Sequence, residues 1–477
     1  MIFQSIEYLL FLVCVLALYY WLPRRGQNVV IIAASYVFYG WVHQWYLILI
    51  GITTLFDWGC AIGMEDSKTQ ARKKAFFYTS IGVNLAILGV FKYFGFFVEN
   101  VSAVLTSMGL MTSPWLIKIA LPAGISFFTF QSVSYAVDVY QGKVKACRSI
   151  IDYATFVSFF PQLVAGPIER AGHMLPQYSQ ERVIHLHDIR SGIVLLLWGL
   201  FQKVVIADSS ALIADKVFSL GDPSFPLLWG GVIAFGVQIY ADFSGYTDMA
   251  RGSARLLGIE LCANFNHPYL SQSPGEFWRR WHMSLSTWFR DYVYIPLGGS
   301  RNGEGTMKRN LVVTFFLSGL WHGASWNYVI WGFYHGVLVA FWPQLAKRVP
   351  ILADKGGALG AIFRVVLTYV LMHLGWLMFR EHSVAMLMSD LALNPFSAPA
   401  AEWRMGGALA LEALQYGLPL ILFLPLLQRW NLLIKAGDER LQSWRWTLAQ
   451  AAAAAICLYG IVSLRCEVGS DFIYFQF

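Results

Sequence analysis

Long apolar runs separated by short basic loops dominate this chain, and their lengths predict a bundle of membrane-crossing helices. Residues 4–22 form the first run, with Arg24 and Arg25 directly behind it. Runs at 28–41 and 44–63 are separated only by Val42 and His43, which predicts a tight hairpin, and the basic string KTQARKK (68–74) follows. Further spans are expected at 76–97, 190–208, 225–248, 361–379, 407–428 and 446–464. A continuous apolar stretch from about 311 to 336 carries His322 in its middle. Bilayer-length runs of this kind read as helices, about eleven in all.

Two stretches depart from that rhythm. LPAGISFFTFQSVSYAVDVY (121–140) is broken by Pro122 and Gly124 and stays polar through Ser126, Thr129, Gln131, Ser132 and Ser134. Such backbone survives at membrane depth only when buried in protein or lining a cavity, so a re-entrant or buried helix is expected there. The 225–248 run ends with Asp242, Ser244, Tyr246 and Asp248. Asp242 and Tyr246 would share a helical face. These carboxylates either face a cavity or sit at the interface, solvated or paired with Arg251 or Arg255.

Composition agrees with this picture. Of 477 residues 57% are hydrophobic and 13% charged, against about 25% charged in soluble domains, which excludes a water-soluble globular class. The first twenty-two residues hold no Lys or Arg and no small-residue cleavage pattern, as expected for a retained helix rather than a removable signal. A net charge of +7 reads as basic cytoplasmic loops, not nucleic-acid binding, and Arg24 and Arg25 behind the first run place the N-terminus outside the cytoplasm. Six scattered cysteines form neither a metal signature nor a disulfide framework. No repeat or soluble domain is evident, so 1–477 reads as one membrane domain. Its parts would be N-terminal helices (1–110), a core (111–345) and C-terminal helices (346–477).

Candidate chemistry concentrates between Gly275 and Gly336. Residues 276–309 carry six basic side chains, Arg279, Arg280 and Arg290 among them, against three acidic ones, interleaved with Trp278, Trp281 and Trp288. This is either an interfacial segment or a mouth where Arg pairs phosphate and aromatic rings stack on a base. Trp278, His282 and Ser286 are spaced to share one helical face, which would aim His282 inward. An ionisable residue in an apolar span marks a functional site, and His322 is the clearest example. Burial would keep its imidazole neutral, as a general base must be. Ser318 lies one helical turn away, Asn327 offers further polar company, and His335 is expected to pack nearby. HExxH, GxSxG, Walker A and GxGxxG patterns are all missing, which counts against metalloprotease, serine hydrolase, ATPase and dinucleotide chemistry.

These segments resemble the membrane-bound O-acyltransferase superfamily, and most closely its bacterial alginate O-acetylation branch. The matching strings are FWRRWHMSLSTWFRDYVYIPLGGSRNG (277–303), LSGLWHGASWNYVIWGFYHG (317–336), QIYADFSGYTDMARGSARLLG (238–258), FNHPYLSQS (265–273), LPAGISFFTFQSVSY (121–135), FFPQLVAGPIER (159–170) and ASYVFYGW (34–41). The resemblance covers most of residues 1–345. It implies an all-α fold, with the spanning helices and buried segments forming a ring around a transmembrane tunnel. It gives His322 the place of the family's essential histidine. His282 takes a second polar position, occupied by Asn in many members.

The implied reaction is acetyl transfer from cytoplasmic acetyl-CoA, without a metal, to an exported polysaccharide. Alginate is the first choice and cellulose the second; peptidoglycan or another surface glycan is the alternative. The donor phosphates would lie near Arg279, Arg280 and Arg290, beside Trp278 and Trp288. Ser318, Asn327, His335 and Asp242 would support the two histidines. Implied partners are a periplasmic acetyltransferase- or esterase-like protein and an exopolysaccharide synthesis and export complex, at a bacterial inner membrane. A transporter without bond chemistry is the competing class, but it predicts paired repeats that the sequence lacks.

Overall fold

The computed structural model describes residues 1–41, 43–110, 121–353, 357–381, 383–423 and 443–473. The described residues form helices joined by turns and irregular connections, with no strand among them. Among the described residues eight helices are long and apolar enough to cross a bilayer, so the chain is a multi-pass membrane protein of all-α class. Two of the expected runs take another form among the described residues. The first apolar run forms a helix of only 14 residues, Ile6–Tyr19, about 21 Å at 1.5 Å per residue and short of a hydrocarbon core of about 30 Å. Arg24 and Arg25, expected in a loop, open the next helix, Arg24–Gly40. The predicted turn at Val42 and the end of the 407–428 run beyond residue 423 lie outside the described residues.

The chain divides into two compact units. One comprises 1–184 with 256–261 and 323–325; the other comprises 185–255, 262–322 and 326–477.

In the first unit, helix Ile125–Tyr140 confirms the buried segment expected from its broken, polar sequence. All its residues except Val137 and Tyr140 are buried. Gly124 caps it at φ 76°, tight against the backbone of Leu163 and Val164, where a side chain would clash. Tyr46–Glu65 and Gln70–Ser107 are joined through buried Asp57, which accepts from Ser80 Oγ (2.7 Å) and Asn84 Nδ2 (2.8 Å). Arg182 ties the ends of several helices together, donating to Tyr19 Oη (2.6 Å) and Asn28 Oδ1 (2.6 Å). A buried guanidinium with several acceptors is costly to disturb.

In the second unit the long helix Leu186–Phe218 contains a π-helical turn at Gln202–Ala207, and Phe225–Leu256 runs 32 residues without a break. The expected apolar span around His322 is two helices instead, Glu304–His322 and Trp326–Arg348, joined by residues 323–325. They form a hairpin in which Gly319 and Gly332 meet. A Cβ at Gly319 would run into the carbonyl oxygen of Tyr328. Small residues at such a crossing let the two backbones pack directly.

Candidate active site

His322 therefore ends a helix rather than occupying the middle of a span. Its ring is buried, with edge contacts to Trp321 (4.9 Å between centroids), Trp331 (4.9 Å) and Phe379 (5.3 Å). Trp331 comes from the second helix of the hairpin and Phe379 from helix Gly357–Arg380. Ser318 is buried one turn earlier on the helix that ends in His322.

His282 reaches the same neighbourhood by a different route from the expected one. The helix across Trp278, His282 and Ser286 is broken: Pro274–Arg280 stops, and Met283–Phe289 starts anew. Between them His282 adopts φ 42°, ψ 55°, a left-handed conformation shared by only one other described non-glycine residue, His267. Such a conformation costs roughly 1–2 kcal/mol for a side chain with Cβ. Its ring is buried, 4.7 Å from Phe243 and 6.0 Å from Trp321. Trp321 thus contacts both histidines.

Two more predicted residues join this cluster. His335 packs on Trp331 (4.9 Å) and Trp278 (5.0 Å), and Trp278 also touches Trp331 (5.4 Å). With only 8% of Trp278 exposed, the indole is a wall beside His335.

Arg279 is exposed; Arg280 pairs with Glu276 (2.6 Å) and exposed Arg290 with Asp291 (2.8 Å). Trp288 is buried against Phe289 and Tyr292. Asn327 donates to the carbonyl of Glu381 (2.7 Å).

Asp242 finds its cation elsewhere than at Arg251 or Arg255. It faces Lys203 at 3.0 Å, and Lys203 also meets Asp208 at 2.9 Å. Lys203 donates to the carbonyl of Ser470 (2.8 Å), Asp208 accepts from Ser470 Oγ (2.7 Å), and Asp242 accepts from the Ile473 N–H (2.7 Å). Three buried charges thereby clamp the segment 470–473. That segment carries Phe472, stacked on Tyr246 at 4.4 Å. The Asp248–Arg251 pair, at 3.1 Å, is the one the sequence anticipated.

Lys203, Arg364 and His373 were passed over in spans that read as ordinary. Each is buried: Arg364 donates to Gln272 (2.7 Å), and His373 Nδ1 lies 2.8 Å from the carbonyl of Tyr369. The available signal was an ionisable side chain inside an apolar run.

Residues 31–381 match the family model described as MBOAT, membrane-bound O-acyltransferase family. A protein of Azotobacter vinelandii named as a probable alginate O-acetylase AlgI is 42% identical over 402 residues, 83% of this chain and 78% of its own. One of the same name from Pseudomonas putida is 36% identical over the whole of both chains. A peptidoglycan O-acetyltransferase of Helicobacter pylori is 30% identical over 94% of this chain and 91% of its own.

Proposed function

The chain belongs to the membrane-bound O-acyltransferase family, and on that premise we propose that it moves acetyl groups from cytoplasmic acetyl-CoA to an exported polysaccharide. It is an O-acyltransferase, so the chemistry is the attack of a hydroxyl on an acyl carbonyl. In our reading His322 takes the proton from that hydroxyl as its oxygen bonds to the thioester carbon. The C–S bond then breaks, and the leaving thiolate takes the proton back from the imidazolium. The position of His322 at the C-terminal end of helix Glu304–His322 supports this role. The negative end of the helix dipole favours the positive charge that develops on the ring. His282 polarises the carbonyl oxygen.

The observation that carries the reading is the common wall of the two histidines, Trp321, inside the segment matched by the family. Arg279, Arg280 and Arg290 are the proposed contacts for the donor phosphates, with Trp288 behind them. Arg279 and Arg290 are exposed, as that role needs. Ser318 and His335 pack around the catalytic pair, and Asn327 positions the chain beyond it. The proposed setting is a bacterial inner membrane, with the N-terminus periplasmic and the basic loops cytoplasmic. A periplasmic acetyltransferase- or esterase-like partner then completes transfer, within an exopolysaccharide synthesis and export complex.

Alginate is the first acceptor to test, given the relatives named as probable alginate O-acetylases, and cellulose the second. The relative named as a peptidoglycan O-acetyltransferase supports a second reading, with another cell-envelope glycan as acceptor. The test is a reconstitution of the purified protein in vesicles with acetyl-CoA labelled in the acetyl group. Free thiol should be released in step with label appearing on added polymer and partner. No consumption of the thioester under these conditions would contradict the donor assignment.

A further inference from the structure

The left-handed backbone of His282 needs something to hold it, and the structure puts Asn264 there. Asn264 lies in the connection after helix Phe225–Leu256 and is fully buried. Its carbonyl accepts from the N–H of Met283 (2.8 Å), the residue directly after His282. Two residues on, the N–H of Asn266 donates to the carbonyl of Arg280 (2.9 Å), before His282. These two backbone bonds straddle the histidine.

The side chain of Asn264 completes the clasp. Its Oδ1 accepts from Ser284 Oγ (2.6 Å) and from the Ser284 N–H (3.3 Å), while Nδ2 donates to Thr247 Oγ1 (3.3 Å). Thr247 belongs to the long helix, one turn beyond Phe243, whose ring packs on His282. One amide therefore ties the helix that opens after His282 to the helix that carries the ring packed on it. An Asn suits this post because it offers both an acceptor and a donor in a fixed plane.

We propose that Asn264 is a positioning residue for acyl transfer: it holds His282 in its left-handed turn and so aims the imidazole. The proposal rests on the role given to His282 above. Misplacement of a reacting group by about 1 Å costs roughly 100-fold in rate, and that is the scale of loss expected for kcat in Asn264→Ala, with the KM for acetyl-CoA unchanged.

The test is a double-mutant cycle on purified full-length protein, with acetyl transfer as readout and folded yield in detergent as control. Asn264→Ala should slow the wild type by about 100-fold and leave the residual rate of His282→Ala untouched. An equal loss in both backgrounds would make Asn264 merely structural and overturn the proposal. If Asn264→Ala does not fold, Ser284→Ala, which removes the 2.6 Å bond to the Asn264 side chain, takes its place in the same cycle. A His282→Ala protein that transfers at the wild-type rate also overturns the proposal. The catalytic role of His322 is judged separately, from His322→Ala.

Discussion

The ring of His282 lies 6.0 Å from that of Trp321, the residue immediately before His322. Helix Glu304–His322 thus delivers Trp321 and His322 together, and the turn at 281–283 brings the second histidine against the first of them. Two imidazoles reach one buried aromatic surface from separate elements. Each has its own structural dependency, and the dependencies can be tested one at a time.

The conformation of His282 limits what can replace it. Asn tolerates left-handed backbone better than other side chains with Cβ, and β-branched residues tolerate it worst. His282→Asn is therefore expected to keep the thermal midpoint of the wild type in detergent. His282→Val should lose roughly 1–2 kcal/mol more. Equal midpoints for the two variants would show that the turn is not strained.

The glycine crossing of the hairpin predicts a sharp contrast. Gly319→Ala would drive a Cβ into the Tyr328 carbonyl and should cost about 1–3 kcal/mol by overpacking, with activity falling because His322 lies one turn further on. Gly305→Ala in the same helix meets nothing and should be neutral or slightly stabilising. Thermal unfolding of the two variants side by side checks this.

Lys203 neutralises two buried carboxylates that grip residues 470–473. Lys203→Met leaves Asp208 and Asp242 buried without their cation, a loss of about 3–5 kcal/mol. Limited proteolysis should then cut the C-terminal segment, which stays protected in the wild type. Adding Asp208→Asn and Asp242→Asn to Lys203→Met should recover part of the stability, since the uncompensated charges are gone.

One pH effect lies outside the spanning helices. The Glu169 carboxylate, 2.8 Å from His173 Nδ1, raises the pKa of that imidazole above its ordinary value. A raised folded pKa stabilises fully below the unfolded value, about 6.5, and the contribution disappears as pH rises through the folded one. The stability gap between wild type and His173→Gln should be present at about pH 5.5 and close in the alkaline range. A gap that widens with pH would contradict the pairing.

What could be read in the sequence, and what could not, follows from the range of the signals. The buried helix at 125–140 was legible because its helix breakers and hydroxyls stand in an apolar context. His322 was legible for the same reason. The hairpin was missed because residues 323–325 are small and uncharged, so the apolar run continues unbroken across the turn. The break at His282 carries no Gly or Pro; it is imposed by pairing with residues 264–266, a contact no local pattern encodes. The partner of Asp242, Lys203, lies 39 residues away in sequence, a pairing no local pattern encodes. The aromatic and basic residues of 276–309 were read as one surface, yet Trp278 turns inward while Arg279 stays exposed, a division set by packing against His335.

The most direct test of His322 as the general base is acetyl transfer by purified His322→Ala, at saturating acetyl-CoA and beside the wild type, with matched folded yield. A fall of at least about 100-fold in kcat is expected, in line with the typical contribution of a positioned base. Transfer at the wild-type rate would contradict it.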